Sequence, residues 1–189
     1  CSYCLPNGFR AREGQSRWLS REEITRLLRA FTAVGLRKLR LTGGEPSLRS
    51  DLTDIIADAA RMPGLQTIAM TTNGILLAQH AAALKAAGLS RVTVSLDSLE
   101  EEVFLKMSGG RGSVGQVLEG IAAALTAGLT PIKINAVVKR GENEHTVVDL
   151  VERFRGTGVI VRFIEYMDVG TINHWQRSDC VPSRELLAL

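Results

Sequence analysis

The chain has 189 residues, 45% of them apolar and 23% charged, which suits one soluble globular domain with a sizeable core. A net charge of +3, spread along the chain, fits an anionic small-molecule substrate better than bulk nucleic-acid binding. No apolar run approaches the ~20 residues that cross a bilayer, and no signal peptide is visible.

The predicted elements alternate in type. A helix is expected over 20–34, where Ser20 and Glu23 form a capping box and Gly35 stops the run. A strand follows at 38–42 (KLRLT), then a helix over 51–61, a strand at 66–71 (QTIAMT) and a helix over 76–87. Next come a strand at 91–95 (RVTVS), a helix over 114–127, a strand at 132–138 (IKINAVV), a helix over 144–155 and a strand at 159–164 (VIVRFI). A last helix starts near Ser183. Most of these helices stop at a glycine: Gly64, Gly88, Gly128 or Gly156. Parallel strands need a crossover, so this rhythm implies βα units around a parallel sheet. Residues 1–189 are expected to form one domain, with no internal linker or repeat.

Polar or glycine-rich motifs follow the strand ends: Thr42-Gly43-Gly44-Glu45-Pro46, Thr71-Thr72-Asn73-Gly74, Ser95-Leu96-Asp97-Ser98, Lys139-Arg140-Gly141 and Glu165-Tyr166-Met167. In a parallel αβ barrel the C-terminal strand ends build the active site, so these motifs are expected to share one rim. Asn-Gly and Gly-Gly are also ordinary turn formers. Within the first strand, period-2 alternation puts Lys38, Arg40 and Thr42 on one face. Charges facing a barrel interior are costly unless paired, ligand-facing or able to snorkel from the mouth to water.

The cysteines are Cys1, Cys4 and Cys180, an odd number that argues against a secreted disulfide scaffold. Cys1-Ser2-Tyr3-Cys4 can hold an iron–sulfur cluster, half of a zinc site or a redox couple. The redox reading lacks a clear helix start at the pair. The zinc reading lacks further ligands at suitable spacing, since Cys180, His80, His145 and His174 stand singly.

The cysteine pair followed by GGEP some forty residues later resembles the radical S-adenosylmethionine (radical SAM) superfamily, whose signature is C-x3-C-x2-C with an aromatic before the last cysteine. Tyr3 holds the aromatic position. The ordered series KLRLTGGEP, TTNG, SLDS, Lys133-Ile134-Asn135 and Arg162-Phe163-Ile164-Glu165-Tyr166-Met167-Asp168-Val169-Gly170 is similar, over nearly the whole chain, to the GTP 3′,8-cyclase family of molybdenum cofactor biosynthesis. The resemblance implies a partial (βα)6-type α/β barrel missing its first strand, in a chain cut at both ends.

It also implies a 4Fe–4S cluster whose second and third ligands are Cys1 and Cys4, the first lying four positions upstream. By motif, S-adenosylmethionine would meet Tyr3, Gly44, Ser95 and Met167. GTP would meet Arg40, Thr71 and Lys133, with Lys38 and Arg162 as secondary candidates, because an inward basic set suits a triphosphate. A capped turn for Ser95 and core packing for Met167 are the plainer alternatives. The implied chemistry needs no protein base: a deoxyadenosyl radical takes the ribose 3′ hydrogen, and the carbon radical adds to guanine C8. Expected partners are an external electron donor and the next enzyme of the molybdopterin pathway, without nucleic acid or membrane, in the cytoplasm. A homodimer stays open. A second, C-terminal 4Fe–4S cluster is expected in the full-length protein, Cys180 being structural or incidental, and the 189 residues alone are expected to be inactive. Two rivals remain, a radical enzyme acting on a peptide or haem precursor and a zinc-binding structural module.

Overall fold

The computed structural model describes residues 1–3, 18–169 and 175–189. Its elements, in chain order, are α1 (Arg21–Ala33), β1 (Lys38–Leu41), α2 (Leu52–Ala60), β2 (Thr67–Thr72), α3 (Leu77–Ala87), β3 (Arg91–Ser95), α4 (Glu101–Ser108), α5 (Val114–Thr126), β4 (Lys133–Val138), α6 (Val147–Phe154), β5 (Ile160–Glu165) and α7 (Ser183–Leu186). The five strands form one sheet in the order of the chain, and every pairing is parallel. Right-handed crossovers between successive neighbours send the helices to one side. The product is an open α/β barrel wall, helix-clad outside and bare inside.

Alternation along the strands decides what each side receives. Leu39, Leu41, Ile68, Met70, Val92, Val94, Ile134 and Ala136 join the helix layer in a core with Ile56, Leu77, Leu84, Ile121 and Leu150. Side chains such as Ile56, Met70 and Ile134 are fully buried, each worth about 1.5–3 kcal/mol relative to exposure. The helices are fixed by recognisable devices. Ser20 and Glu23 complete the capping box of α1 in both directions, at 2.8 and 3.2 Å. Arg21 then clamps α1 to α2 through two bonds to Asp58, at 2.5 and 2.9 Å.

Strand and helix boundaries fall within about a turn of those expected, with two differences. Helix α4 was not expected, because it is short and its N-cap Glu100 makes no side-chain cap bond, although Glu101 and Glu102 place acidic residues in its first turn. The helix expected over 144–155 opens instead as a 3-10 turn, Glu144–Thr146, before α6. Beyond β5 the chain returns to the sheet end: Cys180 forms an antiparallel bridge with Lys139, and Val181 packs on Val138 and Val147.

Candidate functional site

The inner face carries Lys38 and Arg40 from β1, Thr71 from β2, Arg91, Thr93 and Ser95 from β3, Lys133 and Asn135 from β4, and Arg162 from β5; the strand registers put these residues on the same side. The one carboxylate within the strands, Glu165, alternates to the other side and accepts from the Ser183 N–H at 2.9 Å. Neutral oxygens order the inner cations instead. Arg40 Nη1 donates to Thr71 Oγ1 at 2.9 Å and to Thr93 Oγ1 at 3.3 Å. Arg162 donates twice to Asn135 Oδ1, at 3.0 and 2.6 Å. No ion pair joins Lys38, Arg40, Lys133 or Arg162 to a carboxylate among the described residues. Their positive charge therefore remains available to an anion.

Because the strands are parallel, their following loops meet at one end of the sheet. After β1, Gly43 adopts φ +151°, and a Cβ on Gly44 would meet nothing within 4 Å. Packing within the chain therefore does not demand a glycine at position 44, and the space above it is open to a ligand. Glu45 behaves differently from an open acceptor. Its Oε1 accepts from Thr72 Oγ1 at 2.7 Å and from the Ser47 N–H and hydroxyl, and its Oε2 accepts from the Asn73 N–H at 2.7 Å. The GGEP and TTNG motifs are thus welded together, and the carboxylate is spent on the weld.

After β3, Ser98 Oγ accepts from the Glu100 N–H at 3.0 Å, so the cap of that turn is Ser98 rather than Ser95. Asp97, 5% exposed, accepts from the Val137 N–H at 2.8 Å with Oδ1 and from the Tyr3 hydroxyl at 3.1 Å with Oδ2. Burial pushes its carboxyl up to about 6 against the pull of these two donors. Ser2 adds two bonds to the Met107 carbonyl, from its N–H at 2.9 Å and its hydroxyl at 3.2 Å. Half-buried Cys1 therefore sits at the same rim as the glycine loop. A cleft of about 160 Å³ lies there, lined by Tyr3, Met107, Lys139, Glu142 and Tyr166 among others. After β5, Tyr166 is buried under the Lys139 ammonium, 5.2 Å from its ring centre, while Met167 is 56% exposed and so not a core residue.

The model of the Radical SAM superfamily matches residues 1–154. The chain belongs to the radical SAM superfamily. A GTP 3′,8-cyclase of Xanthomonas axonopodis pv. citri (strain 306) is 51% identical over 193 residues, covering 98% of this chain and 57% of that protein. A GTP 3′,8-cyclase of Acidothermus cellulolyticus is 47% identical over 192 residues, covering 100% of this chain and 53% of the relative. The chain thus spans a little over half the length of these curated relatives. Among solved structures, HydG, a maturase of the FeFe-hydrogenase, aligns with a TM-score of 0.67 at 14% identity, over 98% of this chain and 44% of its own. The structure of anSMEcpe with bound AdoMet and a peptide aligns with a TM-score of 0.67 at 18% identity, over 89% and 48%. These two likenesses show the radical SAM fold.

Radical SAM membership brings a 4Fe–4S cluster and S-adenosylmethionine. The residues present fit that pair: a thiol at the strand-end rim, an open glycine loop after β1, and an exposed methionine beyond the last strand. Of the residues singled out from the sequence, Tyr3, Gly44, Ser95 and Met167 lie at or just beyond the strand ends, and Arg40, Thr71 and Lys133 lie on the inner face. Lys38 and Arg162 share that face. Cys4 and His174 fall outside the described residues. Cys180 is held structurally, its thiol donating to the Tyr166 carbonyl at 3.0 Å. Sequence reasoning missed Glu45 as a weld, Asp97 as the acceptor for Tyr3, and Asn143. Asn143 is fully buried, and its Nδ2 donates to the carbonyls of Asp97 and Val137 at 2.8 Å each. For Asp97 the available signal was a carboxylate directly after a buried strand.

Proposed function

We propose that this chain is the catalytic core of a GTP 3′,8-cyclase, joining ribose C3′ to guanine C8 in the first step of molybdenum cofactor biosynthesis. The observation that carries the reading is the basic inner face without a strand carboxylate, opening towards the rim that bears Cys1 and Gly44. The names of the relatives favour the same substrate. A cluster held by Cys1, Cys4 and an upstream cysteine, with S-adenosylmethionine, would supply hydrogen-atom abstraction from an unactivated C–H bond.

The remaining work falls to the chain. Thr71 and Thr93 accept from Arg40, so their own O–H groups stay able to donate to phosphate oxygens while the guanidinium is held in place. Lys133 lies in register with Thr93, and Arg162 is drawn towards Asn135 beside Ser95. These groups bind and orient a triphosphate, and the barrel wall keeps water from the reacting carbon. Tyr3, Gly44, Ser95 and Met167 would cradle S-adenosylmethionine. The proposal includes a second 4Fe–4S cluster in the full-length protein, an external electron donor, product hand-on to the next molybdopterin enzyme, and a cytoplasmic setting.

The test is calorimetry on anaerobically reconstituted full-length protein with GTP and with a peptide panel. GTP should bind, and Arg40→Ala should weaken it about tenfold or more while leaving S-adenosylmethionine binding unchanged. Peptide binding without GTP binding would favour the maturase rival. A colourless protein carrying stoichiometric zinc would favour the structural module.

A further inference from the structure

We propose that Asp97 and Asn143 form a latch that sets where the cysteine-bearing segment sits on the rim, so that Asp97, acting through Tyr3, is a positioning residue for S-adenosylmethionine binding. The inference rests on radical SAM membership and not on GTP as substrate.

Three observations carry it. The Tyr3 hydroxyl reaches Asp97 Oδ2 at 3.1 Å across 94 positions of sequence, tying the first residues of the chain to the loop after β3. Asp97 is itself immobilised: Oδ1 takes the Val137 N–H at 2.8 Å, and its carbonyl takes Asn143 Nδ2 at 2.8 Å. Asn143 is fully buried and also binds the Lys139 N–H and the Val137 carbonyl, which ties the loop after β4 to the loop after β3. A carboxylate 5% exposed, without a cationic side chain bonded to it among the described residues, is a costly choice at a strand end. Strand pairing alone would require an acceptor only for the Val137 N–H, and an asparagine could supply it. The second oxygen is the part that strand geometry leaves over, and it faces the residue next to Cys4. Fixing the tyrosine ring fixes the main chain that carries it, and with it the placement of Cys1 on the rim.

The test uses the full-length protein, reconstituted anaerobically, with Tyr3→Phe, Asp97→Ala and Asp97→Asn. Tyr3→Phe removes only the hydroxyl and keeps the ring and the Val137 bond, so it should fold normally. The expected result is S-adenosylmethionine binding weakened about five- to tenfold in Tyr3→Phe and Asp97→Ala. The electron paramagnetic resonance spectrum of the reduced cluster with S-adenosylmethionine should shift in both. The double variant Tyr3→Phe/Asp97→Ala should be no worse than Asp97→Ala alone. Asp97→Asn should be partly rescued, because its amide can donate to the tyrosine oxygen while still accepting from Val137. Wild-type affinity and spectrum in Tyr3→Phe would overturn the proposal whatever Asp97→Ala does, since Asp97 would then serve strand pairing alone.

Discussion

At the residue scale, the rim is built from carboxylates that bind the chain to itself. Glu45 collects donors from Ser47, Thr72 and Asn73. Glu45→Gln replaces one acceptor oxygen by a donor facing the Asn73 N–H or the Thr72 hydroxyl. It should cost about 1–3 kcal/mol in urea unfolding and loosen the glycine loop. Asp97 makes a pH prediction. Its folded carboxyl is raised to about 6 by burial, so between the ordinary carboxylate range and 6 the folded state holds a proton that the unfolded state has lost. Stability contributed by this group therefore falls as pH rises through that window and is level above it. Asp97→Asn should remove that part of the slope when stability is measured from pH 4 to 7. A slope identical to wild type would contradict the assignment. Much of this chemistry was hidden in the sequence for a simple reason. Arg40 is betrayed by strand alternation, which is local, and Thr71 and Lys133 by motif resemblance, whereas the Tyr3–Asp97 bond is a contact between distant segments that no periodicity encodes.

At the element scale, the helices are held by two kinds of contact. Arg21 and Asp58 clamp α1 to α2, and the guanidinium holds the Asp58 carboxyl well below its usual range. The bond is present above the ordinary carboxylate range and is lost only in strong acid, so Asp58→Asn should lower the melting temperature by a few degrees at neutral pH and less at pH 3. The second contact is steric. A Cβ on Gly120 of α5 would lie 2.5 Å from the Gly74 carbonyl and 3.0 Å from Leu77 Cβ, while one on Gly115 of the same helix would meet only Ser113 Oγ at 3.8 Å. Gly120→Ala should therefore destabilise by about 1–3 kcal/mol, and Gly115→Ala should be neutral or stabilising by up to about 1 kcal/mol. Equal effects in denaturant unfolding would contradict this packing. Helix α1 was legible in advance because Ser20 and Glu23 announce it; α4, only eight residues long, was passed over despite the acidic Glu101 and Glu102 in its first turn.

At the scale of the whole molecule, the βα rhythm sufficed to foresee a parallel sheet, since strands that alternate with helices of this length have few other ways to pair. What it could not supply was which hydroxyl orders which cation: Thr93, which holds Arg40 from two strands away, was not singled out. The inner face concentrates Lys38, Arg40, Arg91, Lys133 and Arg162 opposite an apolar core. Attraction between that surface and a polyanion is screened by salt. GTP affinity of the full-length protein should fall steadily as sodium chloride is raised from about 0.05 to 0.5 M, whereas S-adenosylmethionine affinity should change far less.

The division of the sheet into a cationic side and an oily side rests on parity alone. Inserting or deleting a single residue within β1 or β4 would exchange Arg40 with Leu39 or Lys133 with Ile134, driving charge into grease and stranding leucine or isoleucine in the substrate chamber. Loop lengths can drift through evolution with little penalty, but the spacing inside these strands is as unforgiving as a reading frame.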